Sequence, residues 1–446
     1  MSYNVSFISL GCAKNQVNCE QMMALCAEAG YSIQAQPEGC DVVVVNTCGF
    51  LASACEEAIE NILEMAELKK AGQVKKILVT GCMTQRYKED IFHELPEVDG
   101  LLGTGSYGDI ATAIAEVMEK GEKPCHLGNI HTANQSGERI LSTPPWYAYL
   151  RIAEGCDNHC AYCVIPSLRG KYRSRPMNEL LDEAAELASA GVKELIVIAQ
   201  DITKYGMDLP EHKRLLPELL RELCKMDFTW IRLHYLYPDQ ITDELIDVIA
   251  DEPKIVKYLD IPLQHVSKRI LRAMHRPGDG AEFTRLIEDM RERIPGLVLR
   301  TSLIVGLPGE TEDEFAELCE FLQNVGIERV GVFEYSPEEG TEAAELPDQI
   351  DNETKQNRRL IVEELQSGVL DDYNTSRHGE VMQVLCEGFD EEQGLWYGRT
   401  YADSVEVDGH VYFDAADNEP AEGEFVSVLI TESLGPDLLG VRQKEA

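Results

Sequence analysis

Residues 154–166 read EGCDNHCAYCVIP and set Cys156, Cys160 and Cys163 in a C-x3-C-x2-C spacing. In a reducing compartment, thiols this close more often bind metal than pair with each other. A closed structural zinc site takes four ligands, and here no fourth cysteine follows. Three thiolates at this spacing can hold three irons of a [4Fe–4S] cluster and leave the fourth iron open. Zinc is the competing metal, with His159 as its fourth ligand, although four ligands within eight residues are hard to pack around one ion.

Three more cysteines, Cys12, Cys48 and Cys82, lie 36 and 34 residues apart. Each follows an apolar run that reads as a strand: NVSFISL (4–10), DVVVVNT (41–47) and KKILVTG (75–81). Ligands of open α/β sheets gather beyond the carboxyl ends of the strands, so three distant thiols can meet at one point. The alternative is three inert core cysteines. The other eight, Cys19, Cys26, Cys40, Cys55, Cys125, Cys224, Cys319 and Cys386, fall mostly inside helical or strand patterns and read as core thiols.

The elements around these residues predict an α/β chain of three parts. Strand–helix alternation up to about residue 140 reads as a doubly wound parallel sheet, with 51–70 an amphipathic helix. The polar, proline-punctuated HTANQSGERILSTPP (131–145) reads as a linker. From about 146 to 340 the alternation repeats six times, with strands at 147–153, 194–200, 230–236, 258–264, 297–306 and 329–336. Six βα units, two short of a closed barrel, predict a partial (β/α)6 barrel. Cys156 then ends the first barrel strand, at the mouth where barrel active sites form. A charged helix (352–372) leads to a tail with short strands in MQVLCEG, LWYGRTY, SVEVDG and EFVSVLI, which predicts a small all-β barrel. The expected domains are 1–140, 141–372 and 373–446.

The 446 residues carry a formal net charge of −39. From residue 380 onward there are 16 acidic and 3 basic side chains, a net of −13. Such a field disfavours nucleic acid, whose binding is dominated by phosphate contacts, and favours a basic protein partner. The bland reading is that the charge serves solubility. One basic stretch, LRGKYRSRP (168–176), lies just past the cysteine loop. It is expected to pair with nearby carboxylates or support a cofactor, with acidic substrate or RNA as alternatives. No apolar run is long enough to span a membrane, and MSYNVSFISLGC lacks signal-peptide features, so a cytoplasmic location is expected.

With its three-cysteine loop after the first strand of a six-unit barrel, the chain resembles the radical S-adenosylmethionine enzymes. The resemblance implies that S-adenosylmethionine chelates the open iron, and that electron transfer cleaves its sulfonium to give a radical that abstracts hydrogen from an inert carbon. It places Tyr162 against adenine and gives Gln200, Asp201, Gln264 and Tyr335, at later strand ends, to the cofactor pocket. "AQD" at 199–201 departs from the usual glycine-glycine-glutamate form of the amine-binding motif. IVGLPGE (304–310) falls in the same ring of strand ends. Ordinary barrel packing is the alternative for each.

SLGCAKNQVNCE (9–20), VNTCGFLASACEEAIENI (45–62) and VTGCMTQRY (79–87) narrow the resemblance to the methylthiotransferases, and the tail resembles a TRAM module. By this likeness Cys12, Cys48 and Cys82 ligate a second [4Fe–4S] cluster that handles sulfur, and a second S-adenosylmethionine donates methyl. SLGCAKN and NTCGF look like the protein-modifying RimO type, which methylthiolates the β-carbon of an aspartate in small-subunit ribosomal protein number twelve. Asn18 and Cys19 depart from that type's common Asp-Ser pair. The alternative branch modifies isopentenyladenosine in tRNA, which the acidic tail would repel. The likeness further implies a reducing electron donor and a sulfur source as partners.

Overall fold

Val42, Val43, Val44 and Val45 are all fully buried, as a strand covered on both faces of a parallel sheet requires. The computed structural model describes residues 2–133, 136–415 and 418–443. Its first sheet comprises β1 (Asn4–Ser9), β2 (Ser32–Gln34), β3 (Val42–Thr47), β4 (Lys76–Gly81), β5 (Gly100–Gly105) and β6 (Cys125–Gly128). Their order is β2-β1-β3-β4-β5-β6, every pair parallel, with one apolar core on each face. The doubly wound expectation holds, and β1, β3 and β4, the strands that end at the three distant cysteines, lie side by side. The expected linker is pinned along its described part: Arg139 pairs with Glu20 at 3.2 Å and the Ser142 N–H donates to the same carboxylate at 2.9 Å. Residues 134 and 135 of that stretch lie outside the described residues.

The second sheet is also parallel throughout. It comprises β7 (Tyr147–Arg151), β10 (Glu194–Ile198), β11 (Trp230–Leu233), β12 (Ile255–Asp260), β13 (Val298–Val305) and β14 (Arg329–Glu334) in the order β14-β13-β12-β11-β10-β7. A short antiparallel pair, β8 (Ala153–Glu154) and β9 (Arg173–Ser174), stands at the exit of β7. All six expected strands are present, and β7 and β14 remain unpaired edges of an open barrel. Alternate residues divide two cores: Leu150, Val197, Ile231 and Leu299 face the outer helices, while Tyr149, Ile198, Tyr258 and Val298 face inward.

The tail closes into a five-stranded barrel of β15 (Val381–Asp390), β16 (Leu395–Arg399), β17 (Val411–Asp414), β18 (Phe425–Leu434) and β19 (Asp437–Arg442). A single helix, Asn352–Ser376, leads into it, and so crosses the boundary expected at 372. One expected strand, SVEVDG (404–409), is not a strand. Its polar side chains are bonded elsewhere: Asp408 accepts from the Tyr258 hydroxyl at 2.6 Å, and Ser404 Oγ lies 3.1 Å from His234 Nε2. Ala402 and Val405 join the inward core. The segment thus plugs the open barrel from inside through Ala402 and Val405, while Val407, the second valine of the alternation, is exposed.

At this junction Glu194, fully buried, accepts from Arg232 and Arg399, each at 2.7 Å. Burial alone would raise its carboxyl, but the two guanidiniums outweigh it and hold the pKa at about 2. No helix among the described residues is long and apolar enough to cross a membrane.

Candidate metal centres and cavity

Two glycines turn the chain at the strand exits. Gly81 (φ +101°) lies so close to β3 that an added Cβ would meet the Thr47 carbonyl oxygen at 2.3 Å, and Cys82 follows at once. Gly155 (φ +83°) is as tightly held, since an added Cβ would meet the Lys171 carbonyl oxygen at 2.2 Å, and Cys156 follows it. Both positions admit only glycine, for conformation and for space.

The structure brings Cys12, Cys48 and Cys82 together at adjacent strand ends. A methyl on Gly11 would stand 2.8 Å from Cβ and 3.4 Å from Sγ of Cys48, and one on Gly49 would stand 2.7 Å from the Cys82 carbonyl carbon. Cys82 is buried, Cys48 half-buried and Cys12 exposed. Burial, then the neighbouring Cys82 thiol, pushes Cys48 up to about 12, and burial raises Cys82 in spite of Arg169. Crowding by protein also acts to raise Cys12, but Lys14, Arg169 and two backbone N–H groups outweigh it and hold that thiol below its ordinary value. The thiols that a metal must deprotonate are therefore protonated at neutral pH in two cases of three.

Cys156, Cys160 and Cys163 sit on the loop after β8, at the carboxyl mouth of the second sheet. Burial, and then the mutual repulsion of their own thiolates among other causes, pushes Cys156 to about 11 and Cys163 to about 12. Arg276 approaches this trio: its guanidinium donates to Cys160 Sγ at 3.7 Å and to the Pro262 oxygen at 2.6 Å, and stacks 4.7 Å from the Tyr237 ring. His159, the fourth ligand of the zinc alternative, is exposed and adopts φ +48°. Among the described residues, no group of three His, Cys, Asp or Glu is arranged to hold a single metal ion. A lone zinc needs its thiolates about 2.3 Å from one point. A four-iron cluster gives each thiolate an iron of its own, a donor set that three thiols without a fourth ligand can serve.

The two trios are neighbours. Cys82 packs with Phe50, Val164 and Leu168, and Val164 is the residue after Cys163. Arg169, fully within the protein, ties them: Nε donates to Cys82 Sγ at 3.3 Å, one terminal nitrogen to Asn18 at 2.7 Å and Glu154 at 3.2 Å, the other to Asn15 at 3.0 Å. Glu154, just before the loop, also accepts from Arg151 at 2.9 Å and from Gln200 at 2.6 Å. Burial works to raise its carboxyl, but Arg169 and Arg151 prevail and hold it below the usual range. Arg173 donates to backbone oxygens and Arg175 to Glu183, so the arginines of the basic stretch are engaged within the protein, only Arg169 and Arg175 with carboxylates as expected, while Lys171 is exposed.

Beside the loop trio opens a cavity of about 800 Å³. Tyr162, Gln264 and Tyr335, three of the five residues expected at a cofactor, line it, with Tyr235 and Arg300 from the barrel and Phe50–Ser53 from the first domain. Tyr235 and Gln264 hold φ of +64° and +70°, strain of the kind that persists at functional sites. Gln200 and Asp201 lie outside this lining. Gln200 keeps its buried Oε1 without a hydrogen-bond partner, an acceptor left for a donor from outside the chain. Asp201 accepts from Asn158 at 3.1 Å and caps the turn at Thr203. In IVGLPGE, Ile304 reaches the cavity, while Glu310 is buried against Arg358 and burial raises it to about 7.

Sequence reasoning had no route to Arg276 or Arg169 as cysteine partners, since the contacts join residues more than 80 positions apart. It did single out the stretch holding Arg169. Of the eight remaining cysteines, Cys19, Cys26, Cys40, Cys55, Cys224 and Cys386 are buried, and Cys125 and Cys319 half-buried.

Three family descriptions match the chain: an uncharacterized protein family, UPF0004, over residues 4–103, the radical SAM superfamily over 150–322, and a TRAM domain over 379–442. The ribosomal protein uS12 methylthiotransferase RimO of Lachnoclostridium phytofermentans is 47% identical over 98% of this chain and 100% of its own. That of Caldanaerobacter subterraneus is 48% identical over 98% and 99%. Among solved structures, the radical S-adenosylmethionine methyltransferase TsrM of Kitasatospora setae is similar in fold, with a TM-score of 0.57, 14% identity and coverage of 74% and 73%.

Proposed function

The chain belongs to the RimO family of ribosomal protein uS12 methylthiotransferases, and we propose that its two cysteine trios are the two working centres of that reaction. It is an enzyme of radical S-adenosylmethionine chemistry, with [4Fe–4S] clusters and S-adenosylmethionine as cofactors. Its product is a methylthio group on the β-carbon of an aspartate of uS12. When bound, the clusters and S-adenosylmethionine together supply removal of hydrogen from an unactivated carbon and delivery of sulfur and methyl.

This chain's residues hold and orient those groups. Cys156, Cys160 and Cys163 bind one cluster and Cys12, Cys48 and Cys82 the other. Arg276 and Arg169 donate to one sulfur of each trio and so offset charge that would otherwise be buried. Tyr162, Gln264 and Tyr335 line the space for the adenosyl part. Gln200 is held by Glu154 with its free Oε1 available to an amine, and Asp201 fixes the loop through Asn158. The plug at 402–408 shuts water out of the lower barrel and confines ligands to the mouth.

The first sheet domain, the open barrel and the acidic tail that follows the helix ending at Ser376 divide this work into sulfur handling, radical generation and recognition of the basic substrate. A one-electron reductant and a sulfur source complete the system, and a reducing cytoplasm suits 14 free cysteines. The adjacency of the trios across Cys82, Val164 and Leu168 carries this reading, because a sulfur centre must stand beside the carbon where hydrogen is removed. Mass spectrometry of uS12 and of tRNA from cells with and without the chain tests it. A mass gain on the uS12 aspartate that depends on the chain is expected; unchanged uS12 with altered tRNA would overturn it.

A further inference from the structure

Most cations around the cavity have carboxylates of their own. Arg300 is paired with Asp260 at 2.9 Å, Arg359 with Glu334 at 2.9 Å, and Arg86 with Glu338 at 2.7 Å. Lys355 is satisfied by the Tyr335 carbonyl at 2.8 Å. Lys14 differs. It is only 7% exposed, yet no carboxylate pairs with it among the described residues; Tyr235 is its hydrogen-bond partner. Its Nζ lies 3.4 Å from the ring centroid of Tyr235, which also lines the cavity. Burying an ammonium beside a tyrosine and a thiol, with no carboxylate to pair it, is costly, because these replace only part of the lost hydration. The cost is offset once an anion arrives.

Lys14 stands two residues from Cys12, at the sulfur-handling trio and against the cavity wall. An acceptor whose β-carbon must reach that point brings its own carboxylate one bond further on. We propose that Lys14 is a specificity-determining residue that binds the side-chain carboxylate of the acceptor aspartate and so fixes its β-carbon between the two centres. The inference rests on the function read above. It also explains what the first domain adds to recognition: Lys14 makes the pocket select for an acid, independently of the acidic tail that gathers basic proteins. Tyr235, held at positive φ with its N–H on Asp260, gives the lysine a fixed platform.

The test uses anaerobically reconstituted full-length enzyme and two forms of uS12, with the acceptor aspartate or with asparagine in its place. Wild-type enzyme should bind the aspartate form about 10- to 100-fold more tightly, as a charge-assisted contact implies. Lys14→Met should erase that difference by weakening the aspartate form alone, and raise KM for it, while Lys14→Arg restores most of the preference. Iron content and the electron paramagnetic resonance signal of the loop centre should stay as in wild type. Discrimination preserved in Lys14→Met overturns the proposal. So does its loss together with altered signals of the Cys12 trio and no rescue by arginine, which would make Lys14 a counter-ion of the metal site. Wild-type enzyme that modifies no uS12 overturns the underlying function instead.

Discussion

The two trios solve one problem in opposite ways. The loop trio takes three thiols from eight consecutive residues, so its geometry is set by a local turn that begins at Gly155. The distributed trio takes one thiol from each of three adjacent parallel strands, so its geometry is set by sheet register. A one-residue slip of β4 against β3 would move Cys82 by about 3.3 Å and spoil the site. The close approach of Gly81 to Thr47, where no side chain fits, is what opposes the slip. A local site can be transplanted with its loop; a distributed one needs its whole domain.

The largest expected effect separates the two. Cys163→Ala should lower iron from about eight to about four per chain and abolish both S-adenosylmethionine cleavage and product. Cys82→Ala should lose the same iron and all product but still cleave S-adenosylmethionine on reduction. Iron analysis with product mass spectrometry checks both, and equal loss of cleavage in the two variants would dissolve the distinction.

Next is the bridge between the trios. Arg169→Met should reduce methylthiolation about 10- to 100-fold and shift the signal of the distributed centre, leaving that of the loop centre in place. A uniform change in both signals would mean that Arg169 merely supports the fold. Smaller is Gly81→Ala, which should cost about 1–3 kcal/mol through strain and crowding and release iron from the distributed centre first. Denaturant titration and the order of iron loss report it.

The smallest effect on either centre belongs to Glu194→Gln. It leaves Arg232 and Arg399 buried without their anion and should cost about 3–5 kcal/mol in stability, yet both irons sets should persist. Because the folded pKa of Glu194 is depressed from 4.5 to about 2, its contribution is complete above about 4.5 and is lost as pH falls toward about 2. Acid titration of the wild type should show the tail separating from the barrel in that window, and Glu194→Gln should lack this dependence.

Much of this was legible in the sequence. The loop trio announces itself by spacing, and Cys12, Cys48 and Cys82 by their place after strand-like runs. All six barrel strands were readable because each is rich in apolar and β-branched residues and bounded by helical stretches. The short strands β2 and β6 lack that length, and SVEVDG alternates like a strand although it packs across a domain boundary. Arg169, Arg276 and Lys14 matter through what lies opposite them in space, and no local pattern encodes that.

Six strands where a closed barrel has eight also set a limit on size. In a closed barrel the interior is filled by its own side chains and a ligand enters only from the top. Here β7 and β14 never pair, and the cavity runs along β14, with Val332, Phe333 and Glu334 in its wall. No β7 residue closes that chamber; Phe50–Ser53 of the first domain do so instead. The incomplete barrel is thus the feature that lets the first domain reach the reaction chamber.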